Sequence, residues 1–392
     1  MSACRATSRA CIAGIGETGY RRWGGYTDRN EFQLACAAIA TAARDAGLRL
    51  DEIDGFACFA DPTIDASLLQ LALGIPDLKV SASVWGGRGG GPCGALALAA
   101  SAVESGQARH VAVFRSLCQG QSRRYGKFYA QRMHSDMVGP YGLFSAAQGL
   151  ALVAQRYRHD YGFTDEQLAA IPLMFRANAQ RNPRAVTYGR PLTLEKYLAS
   201  KWIVDPFRVY DCCLETDGAC AMIVTTRERA RDLPRKPVEI LAALQGSDPE
   251  WGTGAMGAHN MPGDSYLSGG QRQLARRLFA TAQIAPANID VMQVYDHFSA
   301  MLFITLEDFG FCARGEAPAY VEAGHAAWPN GRTPINTHGG SLSEAYVHGL
   351  NHVLEGVRQL RGESTCQVPG ARACLVTGGS VISPSSAAIL GV

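Results

Sequence analysis

The order helix, Ile-Asp, strand is written twice in this chain. Ala43–Gly47 closes a helical pattern ahead of Ile53-Asp54 and a short apolar run, and Ala280–Ala285 does the same ahead of Ile289-Asp290. A small-residue helix followed by a strand is also written twice, as Gly94–Ser105 with His110–Phe114 and as Gly349–Leu360 with Ala371–Thr377. The two matches are offset by 236 and about 255 residues, and an insertion in one half accounts for the difference. A duplication of this kind restricts the fold to two copies of one α/β unit.

Around these repeats, strand patterns alternate with helical ones. The first half predicts strands at Ala10–Gly16, Ile53–Phe59, Val80–Val84 and His110–Phe114, and helices at Glu31–Ala46, Ala66–Leu73 and Cys93–Ser105. This β-α-β order argues for a largely parallel sheet. Residues 118 to about 205 interrupt it with two long helical patterns, Ser145–Tyr161 and Asp165–Gln180, and read as an inserted helical and loop layer. Strand patterns return at Ala219–Thr225 and Val238–Leu244. The second half predicts helices at Ser268–Ala285, Met301–Phe309 and Leu342–Leu360, and strands at Ile289–Tyr295 and Ala371–Thr377. The boundary is set at 247/248, giving halves 1–247 and 248–392, with the Gly- and Met-rich stretch Asp248–Asp264 as the linker.

Composition narrows the function classes. Arg and Lys number 37 against 35 Asp and Glu, with no basic run, so no nucleic-acid partner is expected. Only five of the basic residues are Lys, and Lys201 alone lies near a motif discussed below, which argues against a Schiff-base enzyme. The twelve Cys form no C-x-x-C pair, so no zinc knuckle is written and no metal is expected. His297, His338 and His348 lack the spacing of a metal site. The Gly86–Gly91 run lacks G-K-[ST], which argues against a nucleotide loop. Apolar runs are too short to span a bilayer, and a cytoplasmic protein without a membrane association is expected.

Local motifs carry a resemblance. Val294-Tyr295-Asp296-His297-Phe298-Ser299 sits where thiolases have V-N-E-A-F-A. Asn336-Thr337-His338-Gly339-Gly340 matches N-x-x-G-G, Glu344–Gly349 follows where thiolases write G-H-P-x-G, and Leu375–Ser380 matches L-C-x-G-G-G. Asp217-Gly218-Ala219 matches the D-G-A of the first half. The chain therefore resembles the thiolases, and the resemblance implies duplicated halves in a five-layer αβαβα sandwich with the active site where they meet.

The departures from that pattern fall on the chemical positions. The nucleophilic Cys falls on Gly89, the activating His on Tyr346, the second Cys on Val376 and the Asn of N-E-A-F on Tyr295. A glycine offers no atom to acylate. With Asp211–Gly218, this set resembles the lipid-transfer-protein or sterol-carrier-type thiolases, whose defined members are aldolases acting on steroid acyl-CoA thioesters. The resemblance implies a CoA-thioester lyase in steroid or bile-acid side-chain degradation, with Tyr295 and Tyr346 as the acid/base pair and acyl-CoA as substrate rather than cofactor. No cofactor is expected. Gly89, Gly90 and Gly379 are candidate oxyanion positions, and His297, His338 and His348 are candidate neighbours that tune the tyrosines. The resemblance also implies a homodimer and a small partner carrying a zinc-ribbon and OB-fold module, which together make a heterotetramer. Two alternatives stay open from sequence: an acyltransferase using another nucleophile such as Cys93, and a non-catalytic acyl-CoA or lipid-binding subunit. The Arg-rich stretch 115–134 is a candidate contact for the CoA phosphates or for a partner.

Overall fold

A capping box starts the first helix where the sequence predicts it. In the computed structural model of the chain, which describes residues 10–60, 64–85, 88–121, 139–247, 267–268, 270–382 and 384–392, the Gln33 N–H donates to the Asn30 side chain and the Asn30 N–H to the Gln33 side chain. Two donors that the helix leaves orphaned are thereby satisfied. Helix α1 runs Glu31–Ala46 and ends on Gly47 in the left-handed conformation. Its small apolar face (Ala35, Ala38, Ala42 and Ala46, with Leu34 and Ile39) is buried against the sheet.

The strands are β1 (Ala10–Glu17), β2 (Arg21–Arg22), β3 (Gly55–Phe59), β4 (Val80–Val84), β5 (Val111–Leu117), β6 (Trp202–Val204), β7 (Phe207–Arg208), β8 (Thr216–Thr226), β9 (Val238–Gly246), β10 (Val291–Gln293), β11 (Ala373–Gly378) and β12 (Ser385–Gly391). The main path is β10-β11-β12-β9-β1-β8-β5-β3-β4, with β2 attached to β8 and a separate β6-β7 pair. The predicted duplication is visible in this order. Reading outward from the β1/β9 contact gives β1-β8-β5-β3 on one side and β9-β12-β11-β10 on the other. In each half the second strand is antiparallel to both neighbours and the third and fourth are parallel. A bridge from Met292 to Ile335 stands in the second half where the first has β4.

The sheet is therefore mixed, not largely parallel. Strands β1, β3, β4 and β5 do run in one direction, as their intervening helices require. Strand β8 arrives through the long insertion and β12 through a short connection from β11, so no crossover helix forces either into the parallel direction. Strand β9 also alters the division between halves. Cys11 and Ile12 of β1 pair with its first residues, but its length pairs with β12 from Glu239 to Gly246. A boundary at 247/248 cuts after a strand that belongs mainly to the second half's sheet.

Helices fill five layers with the sheets, as the resemblance implies. Helix α1 and α2 (Ala66–Leu73) cover the outer face of the first half. Helix α3 (Pro92–Glu104) and the C-terminal helix at Leu350–Arg361 lie between the two half-sheets. Helices α4 (Ala146–Tyr161) and α5 (Asp165–Ala179) of the insertion, with α6 (Arg272–Ala282) and α7 (Met301–Asp308), build the outer layer of the second half. The C-terminal helix, α8, begins eight residues later than the sequence pattern predicts. Gly340–Ser343 makes one turn, and His348 and Gly349 then take positive φ values of 48° and 83°. Left-handed residues cannot continue a right-handed helix. The linker expected at 248–264, and 122–134 of the Arg-rich stretch, lie outside the described residues. Among the described residues no helix is long and apolar enough to cross a membrane.

Helix α8 is tied to β1 by ions as well as by packing. The Arg358 guanidinium donates to Glu17 at 2.6 Å, Tyr20 donates to the same carboxylate at 2.5 Å, and Arg184 stands 3.3 Å away. Arg358, Arg184 and the Tyr20 hydroxyl hold Glu17 below the usual carboxylate range against the opposing effect of burial. A depressed carboxylate contributes stability above its unfolded value that is lost as pH falls through the folded one. Arg358→Met is expected to cost about 3 kcal/mol, because Glu17 stays largely enclosed with a partner missing. Urea unfolding at neutral pH measures that loss. A pH series should show the variant losing less stability than the parent below about pH 4.5, where Glu17 protonates in the unfolded chain.

Candidate active site

Asn336 gives the segment after β10 the hydrogen bonds that a neighbouring strand would otherwise supply. Its side chain accepts from the Val294 N–H at 2.7 Å and donates to the Val294 carbonyl at 2.9 Å. The next N–H, of Tyr295, donates to Thr377 of β11 at 3.1 Å. Asp296 then accepts from the Ser341 and Leu342 amides at 2.7 and 3.1 Å, the first free donors of the Gly340–Ser343 turn. The His297 carbonyl accepts from Cys213, and Ser299 bonds Asp211, so Asp211–Asp217 forms the other wall. Thr216 fixes the second segment, accepting from the Tyr346 N–H at 2.9 Å and donating to the Tyr346 carbonyl at 3.0 Å.

These supports bring Tyr295 and Tyr346 together from 51 residues apart. Their hydroxyl oxygens are 2.9 Å from one another, and the side chains are 1% and 8% exposed. Leu117 packs against both, with Cys213 and Ile382 at the margin. Gly89 lies directly against the pair. A Cβ at that position would sit 1.9 Å from the Tyr295 hydroxyl oxygen. The phenol thus occupies the space that a side chain at residue 89 would take. Gly379, at φ 74°, backs onto Gly90, whose Cα lies 2.6 Å from where a Gly379 Cβ would stand. The three glycines named from sequence are one wall, and each allows a backbone approach that no side chain would permit.

Each tyrosine has a histidine two residues on. The His297 ring centroid is 5.0 Å from that of Tyr295, and the His348 ring stands edge-on to Tyr346 at 5.2 Å. Burial pushes His297 down to about 3, with the Tyr295 carbonyl pulling weakly the other way. It is therefore a neutral imidazole. His348 Nδ1 accepts from Arg115 Nε at 3.1 Å, and Arg115 in turn bonds Glu31 at 3.1 Å. A guanidinium can only donate, so Nδ1 carries the lone pair and Nε2 the hydrogen. His338 is placed elsewhere. It lies behind the pair, fully buried, with Nε2 3.0 Å from His352 Nδ1 and 3.5 Å from Glu344. His352 continues to Asp296 at 3.2 Å, so a buried polar chain joins the two tyrosine-bearing segments from behind. Glu344 in that chain is raised to about 8 by burial and by Glu17, against the pull of Arg358.

Sequence reasoning missed three members of this arrangement. Arg115 falls in the Arg-rich stretch expected to contact the CoA phosphates or a partner, yet it is only 6% exposed and is engaged by Glu31 and His348. An arginine inside the apolar run Val111–Leu117 was the available signal. His352 and Glu344 gave none, since each reads as an ordinary helix residue. Cys93 is packed in the core. It is fully buried, its thiol points at the Val376 carbonyl at 3.6 Å, and burial pushes it up to about 12. Among the described residues no group of three or more metal-ligating side chains is placed to hold an ion.

Comparison with known proteins gives a consistent set of relatives. The thiolase C-terminal domain-like family matches residues 257–392. The chain is 39% identical over 395 residues to a 17-hydroxy-3-oxo-4-pregnene-20-carboxyl-CoA lyase of Mycobacterium tuberculosis, across 98% of this chain and 100% of that protein. It is 39% identical over 394 residues to a steroid side-chain-cleaving aldolase of Thermomonospora curvata, across 97% of each. Among solved structures, an Ltp2-ChsH2(DUF35) aldolase superposes with a TM-score of 0.89 at 37% identity, over 98% of both chains.

If Cys93 only packs, the native protein should resist iodoacetamide at this residue at pH 8 and take it up once unfolded in urea. Peptide mass spectrometry reads both states, and rapid labelling of native Cys93 would contradict its burial.

Proposed function

The chain belongs to the thiolase superfamily, among its steroid side-chain-cleaving aldolases, and from that premise we propose that it cleaves a β-hydroxyacyl-CoA by a retro-aldol reaction. The substrate class is a bulky ring system carrying a tertiary alcohol β to a CoA thioester. The compound in the name of the mycobacterial relative has this form, with the hydroxyl on C17 and the thioester one carbon beyond C20. Loss of the alcohol proton lets C17 become a ketone as the C17–C20 bond breaks. The electron pair passes to C20 and the thioester as an enolate, and a proton delivered to C20 gives propionyl-CoA. Atoms and charge balance without an oxidant or a cofactor.

One observation carries the reading: two phenols 2.9 Å apart, set against a glycine where a nucleophile would have to stand. One tyrosine, as a phenolate held by the short charge-assisted hydrogen bond that its partner's O–H donates, takes the alcohol proton and becomes neutral. The pair then returns a proton to the enolate carbon. The backbone amides of the Gly89–Gly90 turn and of Gly379 are suited to the enolate oxygen. Burial of Cys93 speaks against an acyl-enzyme route.

The same reading extends to assembly. The name of the solved relative includes a second component, ChsH2(DUF35). A small partner with a zinc-ribbon and OB-fold module is the counterpart proposed for this chain, acting in the cytoplasm. A two-fold homodimer through β4 is supported by the surface. That strand ends the sheet, and Leu68, Leu71 and Trp85 beside it are 58%, 77% and 89% exposed.

Tyr295→Phe and Tyr346→Phe are expected to lower kcat by about 10²–10⁴-fold each with the fold intact, in an assay following ketone and propionyl-CoA release. The double variant should lose less than the product of the two factors, since both groups serve one transition state. Near wild-type kcat in both single variants would sink the mechanism. For assembly, sedimentation at micromolar concentration should give a dimer, and Leu71→Glu with Trp85→Glu should give a monomer.

A further inference from the structure

Arg115 brings a positive charge into the interior near the tyrosine pair. It stands two residues before Leu117 on β5, so both side chains leave the same face of the strand, and Leu117 packs against Tyr295 and Tyr346. The Arg115 side chain is 7% exposed and that of its partner Glu31 is 23% exposed. Glu31 also lies in the first turn of α1, where the helix amides offset a negative charge. The ion pair is therefore a dipole with its positive end inward, and solvent screens the carboxylate more than the enclosed guanidinium.

The inward end reaches the pair through His348. Arg115 Nε donates to His348 Nδ1 at 3.1 Å, which leaves the imidazole neutral with its hydrogen on Nε2. The ring stands edge-on to Tyr346 at 5.2 Å, on a backbone held at φ 48°, a conformation that residues with a side chain rarely adopt. The other titratable groups around the two phenols are paired with one another or neutral. Asp296 turns its carboxylate to the amides of the Gly340–Ser343 turn and to His352. Burial raises Glu344 to about 8, holds His297 and His338 neutral and keeps the Cys213 thiol protonated.

We propose that Arg115 is a positioning residue of the cleavage reaction: through His348 it sets on the tyrosine pair the positive field that lets two buried phenols share one negative charge. The proposal rests on the retro-aldol reading above, which needs one tyrosine as a phenolate. A phenol ordinarily ionises near about pH 10, and burial without a cation at hand pushes that higher. Two hydroxyls 2.9 Å apart accommodate a single charge, one oxygen as the anion and the other as its donor. Proton transfer stays with the tyrosines, and Arg115 acts on the charge that they carry.

The test reads ionisation of the pair without substrate, from the ultraviolet absorbance of tyrosinate. A pH titration of the full-length chain is compared with that of the Tyr295→Phe/Tyr346→Phe double variant, and the difference isolates the two phenols. The parent should show one equivalent of tyrosinate with a midpoint below about pH 10, ahead of the remaining tyrosines. Arg115→Gln keeps a donor for His348 Nδ1 and removes the charge, so its midpoint should rise by about one unit or more. Arg115→Lys, which keeps the charge, should recover part of that rise. Glu31→Gln removes the counter-charge and should move the midpoint the other way. Loss of packing alone does not produce shifts of opposite sign, and Glu31→Gln, at a partly exposed position, serves as the readout if Arg115→Gln does not fold. A pair that ionises in the parent only with the remaining tyrosines, or a midpoint that no variant moves, would overturn the proposal. The retro-aldol reading is judged by turnover instead: parental kcat in both Tyr→Phe single variants would remove that reading and leave the titration result standing.

Discussion

The carboxylate of Asp296 has neither arginine nor lysine against it among its described contacts. It is held by the two leading amides of the Gly340–Ser343 turn and by His352. Everything specific about the centre of this protein depends on that attachment. Tyr295 precedes Asp296 by one residue, and Tyr346 follows the turn by three. Fixing the carboxylate to the turn therefore sets the distance between the two segments, and Asn336 and Thr216 set their orientation. A buried anion satisfied by backbone donors tolerates little displacement, because each lost bond exposes charge to an apolar interior.

The duplicated topology explains why these segments meet at all. Strands β1 and β9 run antiparallel at the join, so the two half-sheets are related by an approximate two-fold axis. The helices that follow equivalent strands, α3 and α8, are carried into the shared middle layer. Gly89 lies just before α3 and His348 just before α8. Equivalent helix starts thus face one another across one small volume.

Much of this was legible in the chain. Capping residues and glycine stops wrote α1 and α2 to the residue, and motif register named both tyrosines and the glycine wall. Three things were not legible, each for a physical reason. Strand β12 is buried along its whole length and built from small residues, so it shows no alternation to read. The break at His348 comes from backbone strain inside a sequence that otherwise carries a helical pattern. The links from Glu31 to Arg115 to His348, and from Asp296 to His352 to His338, join residues tens to hundreds of positions apart. Their polarity is visible in the sequence, but their pairing exists only after the sheets close.

The collision between a side chain at residue 89 and the phenol of residue 295 bears on how such a protein could have arisen. A side chain at 89 and the Tyr295 phenol in its present place would collide, so one of them would have to shift for a single chain to carry both. The easier order puts the small residue at 89 first and the phenol second. An intermediate with the glycine and no phenol would then sit in a valley in sequence space one substitution wide. A lineage crosses such a valley most readily when a gene copy is spare and its catalysis is not under selection.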